Sequence, residues 1–405
     1  MTKRVLIEAE KTTRPRMQGT QRYVRNLIRA LAEMDLAPDC ELFVLIGGNI
    51  RPLAQLDLSQ AWTQSRSRRS GWRQGLRQVL VSMESFPGVA GARRSFGRRR
   101  ISARARQRWA SAQSFDLVHM TSPHSYRSLS GLKSKLLGSV LDLTHRRVPE
   151  SHLKRTIDGT EEGLCFIAKR AAGAIAISES TRRDFLEHYE FRSDRIRVVP
   201  LGVDHRRFSA REDSEAEAAM RAKYGISRSF VLGLSTLEPR KNVEGLLRAW
   251  ARLRAERSDL DADLVVAGGV GWKAEDILGG LRAGGESGVL TVGFVDDEDL
   301  PVLLRAATCF CYISHYEGFG LPLLEAMCCG TPVIYGNNSS MPEVVGCAGL
   351  GVASHDSDEI AAALKELLEN APLRREMSRL AVAQAALFSW ERTARETLEF
   401  YRELW

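Results

Sequence analysis

The stretch "CFCYISHYEGFGLPLLEAMCCGTPVI", Cys309 to Ile334, decides the fold: an alternating apolar run, a turn of glycines and proline, an apolar helical stretch and a second apolar run. By periodicity this reads as strand, turn, helix, strand. Such units build a parallel sheet wrapped by helices. Two glutamates, Glu317 and Glu325, bracket the turn formed by Gly318, Gly320 and Pro322. Ligands of open parallel sheets bind at the carboxyl ends of strands, where loops lead into helix N-termini. Gly318 and Gly320 allow close backbone approach or positive φ, and Pro322 suits the first position of the following helix. The helix start offers free N–H groups and a positive dipole end, a site for an anion. Glu317 is then expected in the loop and Glu325 in the first helical turn, both facing one cleft. A lone glutamate in a first turn does no more than complement the dipole; two of them around this turn point to a ligand.

Outward from this stretch, strands and helices alternate along the chain. Strand-like runs are Val5–Ala9, Leu42–Ile46, Asp116–Met120, Leu136–Leu141, Gly173–Ile177 and Ile196–Val199, with amphipathic helices over Thr20–Met34 and Glu179–His188. The pattern lapses into a polar stretch over Gly202 to Ser227 and then restarts. The second series comprises strands Phe230–Leu234, Leu264–Ala267, Val289–Val292, Cys309–Ile313 and Thr331–Tyr335. Its helices are Asn242–Arg254, Asp297–Ala306, one after Pro322, and Glu359–Leu368. The restart predicts two doubly wound Rossmann-like α/β domains facing a cleft, over residues 1–204 and 205–387. The closing "FSWERTARETLEFYRELW", residues 388–405, reads as a further helix docked by Trp390, Leu398, Tyr401 and Leu404.

Composition fits this reading. A chain of 405 residues, 44% hydrophobic and 27% charged, has the size and proportions of two soluble globular domains. No window reaches the roughly 18 uninterrupted apolar residues of a membrane span. The start "MTKRVLIEAE" turns acidic before a signal-peptide core forms, so a cytoplasmic location is expected. Seven cysteines (Cys40, Cys165, Cys309, Cys311, Cys328, Cys329, Cys347) lie mostly in apolar runs and read as small buried hydrophobes, not a disulfide framework or a metal site. Charge is concentrated: between Gln64 and Ala110 thirteen arginines face one acid, Glu84, a local charge of +12 in a chain of net +8. Within it Trp72, Leu76, Val79, Leu80 and Met83 recur at helical spacing. Two readings stand: a basic amphipathic helix on an anionic membrane, through residues 66–108, or an insertion packed on its own domain with a solvated basic face. No nucleic-acid-binding motif accompanies the arginines, and no nucleic-acid partner is expected.

A second constellation is "LSTLEPRKNVEGLLRAW", which follows the first strand of the second series. Arg240 and Lys241 stand just after Pro239 at a helix start. Two fixed cations beside a helix N-terminus form a cradle for a diphosphate, the arginine as a planar fork and the lysine as a compact charge.

Together these motifs resemble the family 4 retaining glycosyltransferases, enzymes of GT-B fold that move a sugar from a nucleotide-sugar donor to an acceptor. "EGFGLPLLEAMCCGTPVI" matches the family's E-x7-E motif through Glu317 and Glu325, and "EPRKN" resembles its diphosphate-binding segment. "AISESTRRDFLEHYE" to "DRIRVVPLGVD" resembles the approach to the interdomain linker, and "GTQRYVRNLIRAL" the first glycine loop and helix. Nearly the whole chain is covered, apart from the arginine-rich window.

The resemblance implies roles. Glu325 would bind the ribose hydroxyls. Glu317, Gly318 and the backbone N–H groups of Phe319, Gly320 and Leu321 would hold the transferred sugar, with Arg240 and Lys241 stabilising the leaving diphosphate. Val295 would offer its backbone to the base, and Gly19 would let the first-domain loop approach the diphosphate. The implied reaction retains anomeric configuration and needs neither metal nor cofactor. Two departures matter. "GSVLDLTHRR" puts Leu141 where many relatives carry a histidine near the reacting sugar, and Asp142 keeps the following aspartate. Ser235 and Thr236 stand in place of a common glycine-arginine pair. Asp142 is therefore expected in the cleft, with His145 and His119 as acceptor-side candidates. For His119 a satisfied core position is the competing reading. "EPRKN" most resembles mannosyltransferase-like members, so GDP-mannose leads as donor and UDP-glucose follows. The basic window suggests a polysaccharide-precursor or lipid-linked acceptor and peripheral membrane contact. A nucleotide-sugar isomerase or phosphorylase of the same fold, or a catalytically silent membrane- or nucleic-acid-binding protein, are the readings from other classes.

Overall fold

The computed structural model describes residues 2–13, 19–35, 39–58, 115–129, 133–283, 285 and 288–405. The arginine-rich window and its amphipathic helix therefore lie outside the described residues. Two sheets organise the rest. The first has seven strands in the order β3-β2-β1-β4-β5-β6-β7: β1 Lys3–Glu8, β2 Cys40–Ile46, β3 Asn49–Pro52, β4 Leu117–Met120, β5 Lys135–Val140, β6 Gly173–Ala176 and β7 Ile196–Val198. All neighbours are parallel except β2 and β3. The second has six parallel strands in the order β10-β9-β8-β11-β12-β13: β8 Ser229–Leu234, β9 Ala262–Ala267, β10 Val289–Gly293, β11 Cys309–Tyr312, β12 Val333–Gly336 and β13 Gly349–Val352. Strands buried on both faces explain why the sequence shows near-continuous apolar runs such as "DLVV" and "CFCY" rather than alternation. Strand order reverses between β1 and β4 and again between β8 and β11, and the crevice at such a reversal is where this architecture binds ligands.

Several elements escape the sequence pattern for physical reasons. β3 is a short polar edge strand turned back through Gly47 and Gly48, both at positive φ. Helix Ser214–Tyr224 lies inside the polar stretch; it buries only Met220, and Asp213 and Gly225 set its ends as N-cap and left-handed C-cap. Helices Lys154–Arg170 and Ala371–Ala385 and strand β13 complete the layers.

The C-terminal helix, Trp390–Leu404, starts at the Ser389 cap and buries Trp390, Leu398, Phe400, Tyr401 and Leu404. It packs on helix Gly19–Glu33 and on the first sheet. A Cβ at Gly173 would lie 2.9 Å from Phe400, and Lys135 Nζ donates to the Leu404 carbonyl at 2.8 Å. Each large side chain so buried contributes about 1.5–3 kcal/mol of transfer free energy, enough for the chain's last turns to tie back to its first sheet.

Candidate active site

The loops after β8 and β11, the two strands flanking the second reversal, bring Arg240, Lys241 and Glu317 together. After β8, Pro239–Lys241 makes one 3-10 turn and Asn242 takes the left-handed conformation, φ 54°. That strained residue is over-determined: its Oδ1 caps helix Val243–Glu256 by accepting from Gly245 N, and its Nδ2 donates to the Ser354 carbonyl at 2.5 Å. The result aims both basic side chains into the crevice. Lys241 Nζ donates to Glu317 Oε1 at 2.5 Å and to Tyr312 Oη at 2.6 Å. Arg240 Nη1 stands 2.8 Å from the same Oε1 and also donates to the Tyr316 carbonyl, while Nη2 donates to Glu238 at 2.8 Å.

Glu238 and Glu317 are buried, at 2% and 8% exposure, and the side chains of Arg240 and Lys241 are 13% and 11% exposed. Burial alone would push the Glu317 carboxyl up, but Arg240 and then Lys241 overcome it and hold it at about 2. Glu238 goes the other way, burial raising it above the usual carboxylate range despite Arg240. Burial, followed by the neighbouring Arg240 charge, pulls Lys241 down. Two cations and two carboxylates thus form a compact charge-balanced cluster at a strand's carboxyl end.

The turn after β11 is shaped by both sheets. Gly320 has φ 103° and precedes helix Leu321–Cys328, with Pro322 in its first turn. Gly318 meets a different constraint: a Cβ there would lie 2.0 Å from the Leu141 carbonyl. Its glycine identity is thus fixed by first-domain backbone pressing on it. Around that contact the walls are laced together. Ser178 Oγ and Thr181 Oγ1 donate to the Gly318 carbonyl, and Tyr316 Oη donates to Asp184 at 2.5 Å. The Glu343 carboxylate accepts from the backbone of Glu179 and Ser180, at the start of helix Glu179–His188.

Glu325 sits in the second turn of its helix, not the first as the sequence suggested, because the helix begins at Leu321 and Glu325 is its fifth residue. Its carboxylate is 6% exposed and accepts from Arg22 across the cleft. Asp142 follows β5 beside Gly318, its Oδ1 accepting from Thr144 N and Oγ1. His145, in the short helix Thr144–Arg147, is 3% exposed. It meets Glu161 through Nε2 at 3.1 Å, while Nδ1 is buried with no partner. Burial holds its pKa below the ordinary value, against the Glu161 hydrogen bond.

His152 has both ring nitrogens buried and unpaired, and its ring lies 6.3 Å from that of Trp272, whose Nε1 donates to the Ser151 carbonyl. Val295 is buried and Phe294 exposed beside it. A Cβ on Gly19 would meet nothing within 4 Å among the described residues. His119 is in the core: fully buried, it lies 2.7 Å from both Tyr401 Oη and Ser139 Oγ. That placement is the satisfied core position of the competing reading.

Sequence reasoning missed Tyr312, Glu238, Arg22, His152 and Trp272. Arg22 stood inside the quoted "GTQRYV" and Tyr312 inside "CFCY", but only folding reveals that they meet the two glutamates.

Fold and site together define a two-domain GT-B architecture with a charged crevice at the second strand reversal. The model described as "Glycosyl transferases group 1" matches residues 217–383, and that described as "Glycosyltransferase Family 4" matches residues 17–207. The O-antigen chain mannosyltransferase B of Escherichia coli is 34% identical over 302 residues, covering 74% of this chain and 77% of that protein. The serotype-specific mannosyltransferase WbdA of Escherichia coli is 32% identical over 58% of this chain, which spans only 29% of its length. Among solved structures, Anabaena Alr3699/HepE in complex with UDP-glucose superposes with a TM-score of 0.71 at 17% identity, covering 99% of each chain. WaaG, a glycosyltransferase involved in lipopolysaccharide biosynthesis, superposes with a TM-score of 0.63 at 16% identity, covering 97% of this chain and 98% of its own. The chain belongs to glycosyltransferase family 4.

Proposed function

We propose that the protein transfers a hexose with retention of configuration, and without a metal, from a nucleotide sugar to a polysaccharide-precursor or lipid-linked acceptor. GDP-mannose is the favoured donor and UDP-glucose the next. The observation that carries this is the convergence of Arg240 and Lys241 on Glu317 at the strand reversal, beside the start of helix Leu321–Cys328. A donor diphosphate set at that helix start would meet both cations and the free N–H groups of the first turn. As the glycosidic bond to the diphosphate breaks, charge grows on the leaving oxygen. Fixed, water-poor cations lower the barrier most at that point.

In this reading Glu317, Gly318 and the N–H groups of Phe319, Gly320 and Leu321 hold the sugar, and Glu325 the ribose. Val295 meets the base through its backbone, and Gly19 faces the diphosphate. Asp142 stands in the cleft as a catalytic residue, and His145 lies on the acceptor side. The mannosyl donor is supported by the names of the relatives, two of which are mannosyltransferases. A cytoplasmic protein touching an anionic membrane through residues 66–108 is supported by the +12 charge of the 64–110 window. Among the described residues no helix is long and apolar enough to cross a membrane.

The test is a thermal-shift screen of the protein and Glu325→Ala against GDP-, UDP- and ADP-sugars. Saturation at 100 times the dissociation constant adds roughly 2.7 kcal/mol of stability. A shift with GDP-mannose that Glu325→Ala abolishes is expected; a shift with none of the sugars would sink the donor assignment. Product made after dialysis against EDTA, with its anomeric configuration read by NMR, tests metal independence and retention. Activity lost to EDTA and restored by a divalent cation, or inverted product, would overturn those two points.

A further inference from the structure

The carboxylate assigned to the ribose is served from the opposite wall. Arg22, in the first turn of helix Gly19–Glu33, places Nη1 2.6 Å from Glu325 Oε1 and 2.7 Å from Oε2, across 303 residues of sequence. Its Nη2 lies 3.8 Å from Asp297, and its Nε–H is buried without an acceptor among the described residues. The pair is enclosed, the Arg22 side chain 19% and that of Glu325 6% exposed. An ionised carboxylate offers about four acceptor directions, two on each oxygen. One guanidinium nitrogen between the oxygens uses one direction on each and leaves one on each. A vicinal diol needs two acceptors side by side.

We propose that Arg22 is a donor-positioning residue: it holds the Glu325 carboxylate oriented for the ribose diol, so that the ribose pocket is complete only where the two domains meet. This rests on the ribose reading of Glu325 given above and deepens it. Without the arginine, the carboxylate loses the contact that spans both its oxygens, and its plane is free to turn away from the diol. A lysine here would keep the charge but lose the rest of the guanidinium, whose Nη2 lies 3.8 Å from Asp297.

The experiment measures the dissociation constants of GDP and 2′,3′-dideoxy-GDP by calorimetry, or of the uridine pair if the thermal screen selects UDP. The proteins are the wild type, Arg22→Ala, Arg22→Lys and Glu325→Gln. The expected result is a loss of about tenfold or more for GDP in Arg22→Ala, the scale of hydrogen bonds to a charged group. The dideoxy nucleotide should stay within about twofold, and Arg22→Lys should fall between. A merely structural arginine would weaken both nucleotides alike, and that result overturns the proposal. Equal or tighter GDP binding by Arg22→Ala overturns it too, since the pair would then be a competitor of the ribose. If Arg22→Ala does not fold, Arg22→Lys decides on the same ribose-against-dideoxy comparison. If instead Glu325→Gln keeps the full preference for the ribonucleotide, it is the ribose reading that fails, whatever Arg22 does.

Discussion

The two walls of the cleft are built on different principles. The second-domain wall is dense in charge and internally balanced: Arg240 and Lys241, largely enclosed, stand within hydrogen-bond reach of the buried Glu317 and Glu238. The first-domain wall carries histidines with unpaired nitrogens, His145 and His152, beside an aspartate engaged with its own loop. Arg22 is a first-domain charge that meets a partner across the cleft. One wall is therefore set for a fixed anion, its dipoles and charges held before any ligand arrives, while the other keeps free acceptors and donors. That division suits a donor diphosphate on one side and a hydroxyl-bearing acceptor on the other.

The largest effect should come from uncoupling the charged wall. Glu317→Ala leaves two cations buried side by side, and removing one partner of a buried ionic cluster costs about 3–5 kcal/mol. Denaturant midpoints should fall accordingly, and turnover should drop by about 10²–10³-fold or more, the scale of losing one preorganised electrostatic group. Glu317→Gln should match the loss of turnover with a smaller loss of stability. Unchanged stability in Glu317→Ala would break the account of a self-balanced wall.

Next in size is the contact between the walls. Gly318→Ala drives a Cβ to 2.0 Å from the Leu141 carbonyl, a backbone atom that cannot swing aside. The walls must separate, and a misplacement of about 1 Å costs about 10²-fold in rate. We expect kcat/KM to fall on that scale while the nucleotide still binds the second domain. Wild-type kcat/KM would show that the turn tolerates an opened cleft.

How much of this was legible follows the same division. Both sheets, most of their strands and the location of the second-domain wall follow from local pattern: glycine and proline at strand ends, glutamates at fixed spacing, two cations at a helix start. These signals are short in sequence, so a reader of the chain meets them whole. The first-domain wall is assembled from pieces with no local signature. Arg22 meets Glu325 across 303 residues, and Trp272 meets Ser151 across 121. The need for glycine at 318 was read as room for a ligand or for positive φ, whereas it arises from backbone packed against it from the other sheet. Helix Ser214–Tyr224 was missed because it buries one residue and so presents no apolar stripe.

Acid should take the walls apart in order. Burial holds the native pKa of His145, His152 and His315 below the ordinary value near 6.5, and that of His119 down to about 3. Below pH 6.5 the unfolded chain therefore binds more protons than the native one, and stability falls with pH, by up to about 1.4 kcal/mol per pH unit for each such group. Glu317, native at about 2 against an ordinary 4.5, brings stability that is complete above pH 4.5 and lost only as pH falls toward 2. Chemical denaturation from pH 8 down to 4 should thus show a decline beginning near 6.5, shallower in His145→Gln. A flat profile to pH 5 would mean that these histidines are protonated in the native state.

The smallest expected effect concerns His119. Its Nδ1 meets Tyr401 Oη and its Nε2 meets Ser139 Oγ, which in turn meets Tyr23 Oη, so the imidazole closes a buried chain of hydroxyls between the first sheet, the first helix and the C-terminal helix. Tyr401→Phe keeps the ring and its packing and deletes one hydrogen bond, which is worth about 1 kcal/mol net. Unfolding free energy should fall by that amount, with kcat/KM for donor and acceptor unchanged. A substantial rise in the acceptor KM would instead tie this buried chain to the acceptor side. The prediction separates two histidines that look alike in the sequence: His119, with both nitrogens engaged in the core, and His145, with one nitrogen still unpaired near Asp142.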